Sequence, residues 1–302
     1  MKILISGATG FIGKNLSSML SSKGHDICAL VRVSTNIDSL QKEKVRFYTF
    51  DDDIDKLRTF MEKEKFDGVI HLASLFLASH ESKDIKNLID SNVYLGTAIL
   101  EAASKSGINW FLNTGTFWQH YKNKDYSPVN LYAATKQAFD DIAKYYIETS
   151  RINFVTIKLS DTFGPNDTRN KIFNTWDKIS KSGEFLDMSK GAQIIDINYI
   201  DNVIDGYTQM IDLLAKDKKG TLSGKSFAIS AKERLSLKEL AKIFEKVTKQ
   251  KLHISWGKKE YRLREVMVPW EHGKKIPGWK QKISIAEGIE KTINSVAKKN
   301  TN

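Results

Sequence analysis

The N-terminal segment KILISGATGFIG limits the possible folds more than any other stretch of this chain. A short apolar run at residues 2–6 is followed by Gly7, Gly10 and Gly13, and apolar side chains then recur at helical spacing. This order predicts a strand, a tight turn and a helix in succession. The first glycine permits the turn, the second lets a pyrophosphate approach the backbone, and the third lets helix and strand pack closely. Because the helix N-terminus offers N–H groups to the phosphates, the segment predicts a dinucleotide site.

Strand and helix patterns alternate along residues 1–165. The predicted strands are KILIS, DICALV, VRFYTF, DGVIHLA, NWFLNT and NFVTIKLS, and helical patterns lie between most of them. Such alternation is typical of βαβ units and therefore of a parallel sheet. We expect an α/β fold with a Rossmann-type doubly wound parallel sheet in residues 1–165, completed by a strand and a helix around residues 193–215. Residues 166–302 are expected to form mainly a smaller C-terminal α/β lobe that binds the substrate.

The composition excludes several classes of protein. The sequence is 41% hydrophobic, enough for a large core, and it has no apolar run near the roughly 18 residues of a membrane helix. The net charge of +11 indicates an acidic partner, but the basic residues are scattered and no nucleic-acid-binding motif is present. The histidines and the single Cys28 lack metal-ligand spacing. We expect a cytoplasmic protein without a targeting segment that binds no metal, nucleic acid or membrane and takes a phosphorylated small molecule.

The type of dinucleotide depends on the end of the second predicted strand. NAD sites usually carry an acidic side chain there for the ribose 2′-hydroxyl. Here Val31 and Arg32 stand at that point, and Arg32 could pair with a 2′-phosphate. NADP(H) is therefore preferred, and NAD(H), with Arg32 as a surface charge, is the alternative. Asp53 and Ile54 follow the third strand and are expected beside the adenine, unless the acids there only favour a helix start.

A second motif, YAATK, occupies residues 132–136. Tyr132 and Lys136 are four residues apart and therefore share one helix face. A lysine ammonium near a phenol stabilises the phenolate and lowers the pKa of the tyrosine. The pair therefore predicts a proton donor or acceptor that works near neutral pH.

The segments GATGFIG, DGVIHLAS, NVYLGTAILEAA, NTGTFW, YAATK and FGPND, in this order, resemble the extended short-chain dehydrogenases/reductases that act on sugar nucleotides, a group of epimerases, dehydratases and reductases. The resemblance implies that Thr114 hydrogen-bonds the substrate oxygen, that Tyr132 exchanges its proton, and that Lys136 also holds the nicotinamide ribose. Asn92 would help to order the site, or it only begins a helix. The cofactor contacts implied are Gly7, Thr9, Gly10, Phe11, Ile12, Gly13, Leu72, Ala73, Ser74, Asn92, Tyr132 and Lys136.

The residues after Thr114 limit the type of reaction that the chain is expected to catalyse. Dehydratases of the family continue with Asp-Glu for the elimination of water, whereas this chain has Gly115 and Thr116. Hydride transfer at sugar C4 remains, as 4-keto reduction, 4-hydroxyl oxidation or 4-epimerisation. The stretch FWQHY and the helix after it most resemble CDP-abequose and CDP-paratose synthases, which reduce a 4-keto-3,6-dideoxy sugar.

Together these features favour an NADPH-dependent 4-ketoreductase of a nucleotide-activated deoxysugar, used to make a surface polysaccharide such as O-antigen or capsule. An NAD-dependent sugar-nucleotide 4-epimerase or 4-dehydrogenase is the alternative in the same fold. A non-catalytic dinucleotide sensor is disfavoured, because such sensors typically lose the Tyr132–Lys136 pair.

The expected substrate is a nucleotide-diphosphate sugar. Many relatives use an arginine to contact the diphosphate where this chain has Ile195, so other cations must take that role. The segment after the predicted strand NWFLNT, which ends at Thr114, is expected to line the sugar site. The residues expected to bind the substrate are Thr116, Trp118, Gln119, His120, Asp161, Lys171 and Arg262.

The resemblance also implies a homodimer. In the family, two helices of each subunit pair across a two-fold axis, and here these are the helices predicted at 89–106 and 132–149. The apolar residues on these helices either form that contact or face the sheet of their own chain. They are Leu95, Ile99, Phe139, Ile142 and Tyr146.

Overall fold

The computed structural model describes residues 1–42 and 45–299. Its strands are β1 (Lys2–Ser6), β2 (Asp26–Arg32), β3 (Arg46–Phe50), β4 (Gly68–His71), β5 (Trp110–Thr116), β6 (Asn153–Leu159), β7 (Asp161–Phe163), β8 (Leu186–Met188), β9 (Ile194–Ile195), β10 (Ile197–Tyr199), β11 (Ser226–Ile229), β12 (Leu235–Ser236) and β13 (Ile254–Trp256). Its helices are α1 (Phe11–Ser22), α2 (Asp38–Lys42), α3 (Ile54–Glu64), α4 (Ile85–Ile89), α5 (Leu95–Lys105), α6 (Leu131–Thr149), α7 (Ile172–Ser182), α8 (Ile200–Lys216), α9 (Leu237–Thr248) and α10 (Ile285–Lys299). None of the helices in the described ranges has both the length and the apolar character that crossing a bilayer requires.

Seven strands form one parallel sheet in the order β11-β6-β5-β4-β1-β2-β3. Its inner strands are apolar on both sides, because both faces of the sheet are covered. In β1, for example, Ile3, Leu4 and Ile5 have no exposed surface. The predicted Rossmann-type doubly wound sheet is confirmed.

Helices cover both faces of this sheet. On one face, α3, α5 and α6 contribute Leu57 and Phe139 to a buried apolar cluster. On the other face, α1 and α8 contribute Leu16 and Tyr207 to a second cluster, which continues to Trp176 of α7. The C-terminal elements therefore share a core with one face of the sheet, and the domain boundary expected near residue 165 stays a prediction.

The strand expected at residues 193–200 lies outside the central sheet, whose C-terminal member is β11 instead. The run QIIDINYI is broken at Asp196, a buried carboxylate that accepts hydrogen bonds from Ser160 and Arg234. The short strands on either side of Asp196 pair elsewhere, β9 with β12 and β10 with β7. The helix expected in this segment, α8, does pack against α1 beside the sheet.

Parallel pairing brings three strand ends to one edge of the sheet. Ser6 at the end of β1 is level with His71 at the end of β4, and His71 is level with Asn113 of β5. The Ser6 hydroxyl and His71 Nδ1 are 2.7 Å apart, and this hydrogen bond joins β1 to β4. The glycine loop, the segment after β4 and the end of β5 therefore emerge side by side.

The helix predicted at residues 89–106 contains a π-helical turn, Asp90–Tyr94, between α4 and α5. Such turns are frequent at functional sites because they shift the side chains that follow out of helical register. Here Asn92 is fully buried within the turn.

The apolar residues expected at a dimer contact face the core of their own chain. Leu95, Ile99, Phe139 and Tyr146 are buried, and Ile142 packs against the same cluster. Leu95, Ile99, Phe139 and Tyr146 therefore have the second of the two roles left open, facing the core of their own chain, and the homodimer stays a prediction. Different apolar side chains are exposed on α4, α6 and the π turn: Ile85, Ile89, Tyr94 and Tyr145.

Candidate active site

The glycine loop fits a pyrophosphate. Gly7 has a φ of +76°, and a Cβ added to it would lie 2.6 Å from the backbone nitrogen of Ala73. A Cβ on Gly13 would lie 2.1 Å from the carbonyl oxygen of Gly7. Gly10 differs, because a Cβ there would approach only the Gly7 oxygen, at 3.3 Å. Two glycines are therefore required by the chain's own packing, and the third leaves open space above the N-terminus of α1, where an anion is stabilised.

The other loop residues expected to contact the cofactor lie around this space. Thr9, Phe11 and Ile12 are partly exposed beside Gly10. The segment Leu72–Ser74 continues β4 across the glycine loop, where the Leu72 N–H donates to the carbonyl of Ser6 at 3.0 Å. These residues are brought together as the sequence predicts.

Asn92 clamps the loop after β4 to helix α6. Its Oδ1 accepts hydrogen bonds from the Ser74 hydroxyl at 3.0 Å and the Leu75 N–H at 2.7 Å. Its Nδ2 donates to the carbonyl of Leu75 at 3.0 Å and to the Thr135 hydroxyl at 2.9 Å, and Thr135 in turn donates to the carbonyl of Tyr132. Because this fully buried amide is used completely, Asn92 joins the loop to α6 and has no group left for the direct cofactor contact expected of it.

The three residues expected to contact the adenosine half of the cofactor have different surroundings. Arg32 is exposed at the end of β2, and its Nη1 donates to the Ser91 hydroxyl at 3.3 Å. Asp53 caps α3 by accepting a hydrogen bond from the Lys56 N–H at 3.0 Å, and this bond lowers the pKa of the Asp53 carboxyl. Asp53 thus has the helix-start role that the sequence left open, and Ile54 packs beneath it against the core.

Tyr132 and Lys136 lie on one face of α6, where both are strongly affected by burial. Burial raises the pKa of Tyr132 to about 12, although hydrogen bonds to the Ser74 and Thr116 hydroxyls oppose the increase. Burial also lowers the pKa of Lys136 to about 8, against the influence of the Asp140 charge. Burial is the dominant influence on the pKa of Tyr132 in this structure, and the expected lowering by Lys136 is not seen. Near neutral pH, Tyr132 is therefore a phenol that can give up a proton.

The two threonines at the end of β5 have different partners. The Thr116 Oγ1 atom accepts a hydrogen bond from the Trp118 N–H at 3.2 Å, and the Thr116 hydroxyl is near enough to Tyr132 to oppose the rise in the pKa of the phenol. The Thr114 Oγ1 atom lies 2.6 Å from the hydroxyl of Tyr207, a fully buried residue of α8. Sequence reasoning missed Tyr207, because its position within the apolar pattern of α8 resembles that of an ordinary core residue.

A pocket beside these hydroxyls contains most of the predicted substrate residues. The Lys171 Nζ atom forms an ion pair with Asp161 at 2.8 Å. The Arg262 guanidinium lies 5.5 Å from the centre of the Trp118 ring and pairs with Glu265 at 2.9 Å. The side chains that line the pocket include Phe117, Trp118, His120, Tyr121, Asp161, Arg262 and Trp270.

The neutral imidazole ring of His120 lines this pocket. Its Nε2 accepts a hydrogen bond from Lys158 at 2.7 Å, so its Nδ1–H donates to the carbonyl of Lys124 at 3.1 Å. Burial and the Lys158 charge lower the pKa of His120 to about 4. Its ring stacks on Trp270 at 3.9 Å. Lys158 and Trp270 are distant in sequence and carried no signal that could have linked them to His120.

Gln119 does not line the sugar pocket, contrary to expectation. Its fully buried side chain accepts a hydrogen bond from the Thr116 N–H at 2.9 Å and donates to Gln137 and Asp140. It therefore fixes the end of β5 against α6. Phe76, which the sequence did not indicate, is partly exposed near the site instead, with its ring 5.1 Å from that of Tyr132.

The contrast between Gly10 and Gly13 gives a test of the loop. Gly13→Ala should lower the free energy of unfolding by about 3 kcal/mol, because its Cβ meets backbone. Gly10→Ala should change it by no more than about 0.5 kcal/mol, yet weaken NADPH at least about tenfold because its methyl fills the phosphate cradle. Urea unfolding and calorimetric titration measure the two effects. Unchanged NADPH affinity in Gly10→Ala would exclude this loop as the phosphate site.

The chain is similar to known proteins over nearly its full length. The model of the NAD dependent epimerase/dehydratase family matches residues 3–223. CDP-abequose synthase of Salmonella typhimurium is 28% identical, covering 96% of this chain and 97% of that protein. UDP-glucuronate 4-epimerase of Thermodesulfobacterium geofontis is 23% identical, and the match covers 96% of this chain and 94% of that protein.

Solved structures share the fold. A UDP-glucuronic acid 4-epimerase from Bacillus cereus, in complex with UDP-glucuronic acid and NAD, superposes with a TM-score of 0.83 at 21% identity, over 99% of both chains. A UDP-glucose 4-epimerase from Thermotoga maritima, with UDP-glucose, gives 0.84 at 18% identity over 99% of this chain and 100% of the other. With a family model that matches most of its length, this chain belongs to the NAD dependent epimerase/dehydratase family.

Proposed function

We propose that this protein reduces the 4-keto group of a nucleotide-activated deoxysugar with NADPH. The observation that carries the proposal is the similarity to CDP-abequose synthase over 96% of this chain, together with the Tyr132 hydroxyl, a proton donor near the end of β5. Reduction of a ketone needs a proton donor next to the carbonyl oxygen, whereas oxidation of an alcohol needs a proton acceptor. A phenol is protonated at neutral pH, so Tyr132 fits the donor role, and the preference for reduction over epimerisation rests on the similarity to CDP-abequose synthase and on Arg32.

In this proposal, residues of the chain have separate tasks. The dinucleotide, when bound, supplies a hydride for the carbonyl carbon. Tyr132 donates its proton to the carbonyl oxygen, and Thr114 donates a hydrogen bond to the same oxygen. Lys136 would also hold the nicotinamide ribose, and the glycine loop would hold the pyrophosphate. Because Gly115 and Thr116 stand where an acid and a base would be needed, elimination of water is not part of the reaction.

The identity of the substrate is inferred from the pocket and from the relatives. The full-length similarity to CDP-abequose synthase supports a nucleotide-linked deoxysugar and a place in surface-polysaccharide biosynthesis, such as O-antigen or capsule. The aromatic rings of Phe76 and Trp118, 5.4 Å apart, offer an apolar surface that suits a sugar lacking hydroxyls. Lys171 and Arg262 would contact the diphosphate in place of the arginine that Ile195 replaces.

The alternative is an NAD-dependent 4-epimerase or 4-dehydrogenase. It is favoured by the similarity to a UDP-glucuronate 4-epimerase and by fold relatives crystallised with NAD. An epimerase must both remove and return a hydride at C4, so it would keep its cofactor bound. Arg32, with no acidic residue beside it at the end of β2, is the feature that favours NADPH instead.

A homodimer acting in the cytoplasm completes the proposal. Exposed Ile85, Ile89, Tyr94 and Tyr145 lie on α4, α6 and the π turn between α4 and α5, where a second copy could cover them. This surface replaces the buried residues first expected at the contact.

Arg32→Ala tests the choice of cofactor. The substitution should weaken NADPH at least about tenfold, because a charge-assisted bond to the 2′-phosphate is lost, and should change NADH affinity less than about twofold. Parallel calorimetric titrations measure both, with Arg151→Ala, an exposed arginine at the end of α6, as the control. Equal losses for the two cofactors, or tighter binding of NADH by the unmodified protein, would contradict the NADPH assignment.

Tyr132→Phe tests the proton donor. It should lower turnover of a CDP- or UDP-linked 4-keto-6-deoxy sugar by about a thousandfold, because the proton donor is lost, with NADPH affinity retained. Loss of NADPH absorbance measures turnover. Tyr145→Phe, on the exposed side of the same helix, is the matched control and should leave the rate unchanged. Near-normal turnover in Tyr132→Phe would show that another group donates the proton.

A further inference from the structure

Two hydroxyl groups from distant parts of the chain meet behind the candidate site. Thr114 Oγ1 at the end of β5 and the Tyr207 hydroxyl in the middle of α8 are 2.6 Å apart, although 93 residues separate them. Tyr207 has no exposed surface, whereas Thr114 is partly exposed. The pair therefore links the buried side of the sheet to the surface where the substrate would lie.

Chemistry favours one direction for this hydrogen bond. A phenol is more acidic than an aliphatic alcohol, so it is the better donor of the two. If Tyr207 donates to Thr114, the single Thr114 proton remains available for another acceptor. A hydroxyl that accepts one hydrogen bond also becomes a stronger donor of the next, because the bonds polarise each other.

The bond also fixes the orientation of Thr114. A threonine side chain is stiff at χ1, but its hydroxyl and methyl groups can exchange places between two rotamers. A partner 2.6 Å from Oγ1 selects the rotamer that keeps the hydroxyl at the site. Thr116 is engaged differently, since its Oγ1 accepts a hydrogen bond from the Trp118 N–H at 3.2 Å.

The surroundings of Tyr207 make packing alone a poor explanation for its hydroxyl. Its neighbours along α8, Val203, Met210 and Ile211, are buried apolar residues of the same core cluster. Phenylalanine would fill nearly the same volume there, and a buried hydroxyl costs free energy unless it is hydrogen-bonded. Thr114 supplies that partner, so the hydroxyl and the threonine are explained together.

We propose that Tyr207 is a positioning residue for the reduction: its hydroxyl donates to Thr114 Oγ1, fixes the Thr114 rotamer and directs the Thr114 proton towards the carbonyl oxygen that Tyr132 protonates. The inference rests on the proposed function of the site. It adds a chain of donors, Tyr207 to Thr114 to substrate, opposite the donor Tyr132.

A double-mutant cycle tests this inference. Tyr207→Phe should lower kcat about tenfold, the effect of losing one hydrogen bond, while KM and NADPH affinity change less than about twofold. Thr114→Val should cost more, and adding Tyr207→Phe to Thr114→Val should cause no further loss, because the bond is already absent. The control is Tyr199→Phe, which removes the hydroxyl of another buried tyrosine and should leave kcat unchanged.

Other outcomes would overturn the inference. If Tyr207→Phe has wild-type kcat, or if its effect multiplies fully with that of Thr114→Val, Tyr207 has only a packing role. If Tyr207→Phe does not fold, Thr114→Ser replaces it as the test. If Tyr207 holds the serine hydroxyl, Thr114→Ser should retain kcat within about threefold. A serine hydroxyl that rotated freely would lower kcat about tenfold or more.

Failure of the proposed function is recognised separately. If the unmodified protein turns over no 4-keto sugar nucleotide, that function is wrong whatever Tyr207 does. Crystal structures then decide the inference. Thr114 should occupy one rotamer in the unmodified protein and two, or the other one, in Tyr207→Phe. An unchanged single rotamer would contradict the positioning role.

Discussion

Parallel strand pairing is the constraint on which the candidate site depends. Because β1, β4 and β5 run in the same direction, Gly7, Leu72 and Thr114 emerge next to one another at a single edge of the sheet. The site therefore needs only one more element, α6, to bring Tyr132 to that edge. Asn92 holds α6 to the loop after β4, so the alignment of Tyr132 follows from packing between secondary-structure elements.

Burial shifts the pKa values of three titratable groups at the site. It raises the pKa of Tyr132 to about 12, and it lowers the pKa of Lys136 to about 8 and that of His120 to about 4. Each shift favours the neutral form, because removing a charge from water costs more than the nearby partners return. The site consequently presents hydroxyl donors from Tyr132 and Thr114.

The parts of the structure that local sequence patterns could predict are those that depend on residues close together in the chain. The glycine spacing, the alternation of strands and helices, and the placement of Lys136 one helical turn after Tyr132 are of this kind. Tyr207 and Trp270 reach the site from distant elements, so only the folded topology links them to it. The sign of the Tyr132 pKa shift escaped prediction for a related reason, since burial, its dominant cause, depends on the folded structure. Gln119 lies shortly after β5, as expected, but its side chain points inward and donates a hydrogen bond to Gln137 of α6.

The transfer of deuterium tests the central claim, net 4-keto reduction, most directly. The purified protein would receive a nucleotide-linked 4-keto-6-deoxy sugar with NADPH deuterated at nicotinamide C4, on either face in separate reactions. The account predicts that one of the two labelled cofactors places one deuterium at sugar C4 for each NADP⁺ formed, in a product that carries a 4-hydroxyl group. A product without deuterium at C4, or inversion at C4 of a 4-hydroxy sugar without net oxidation of NADPH, would contradict it and support the epimerase.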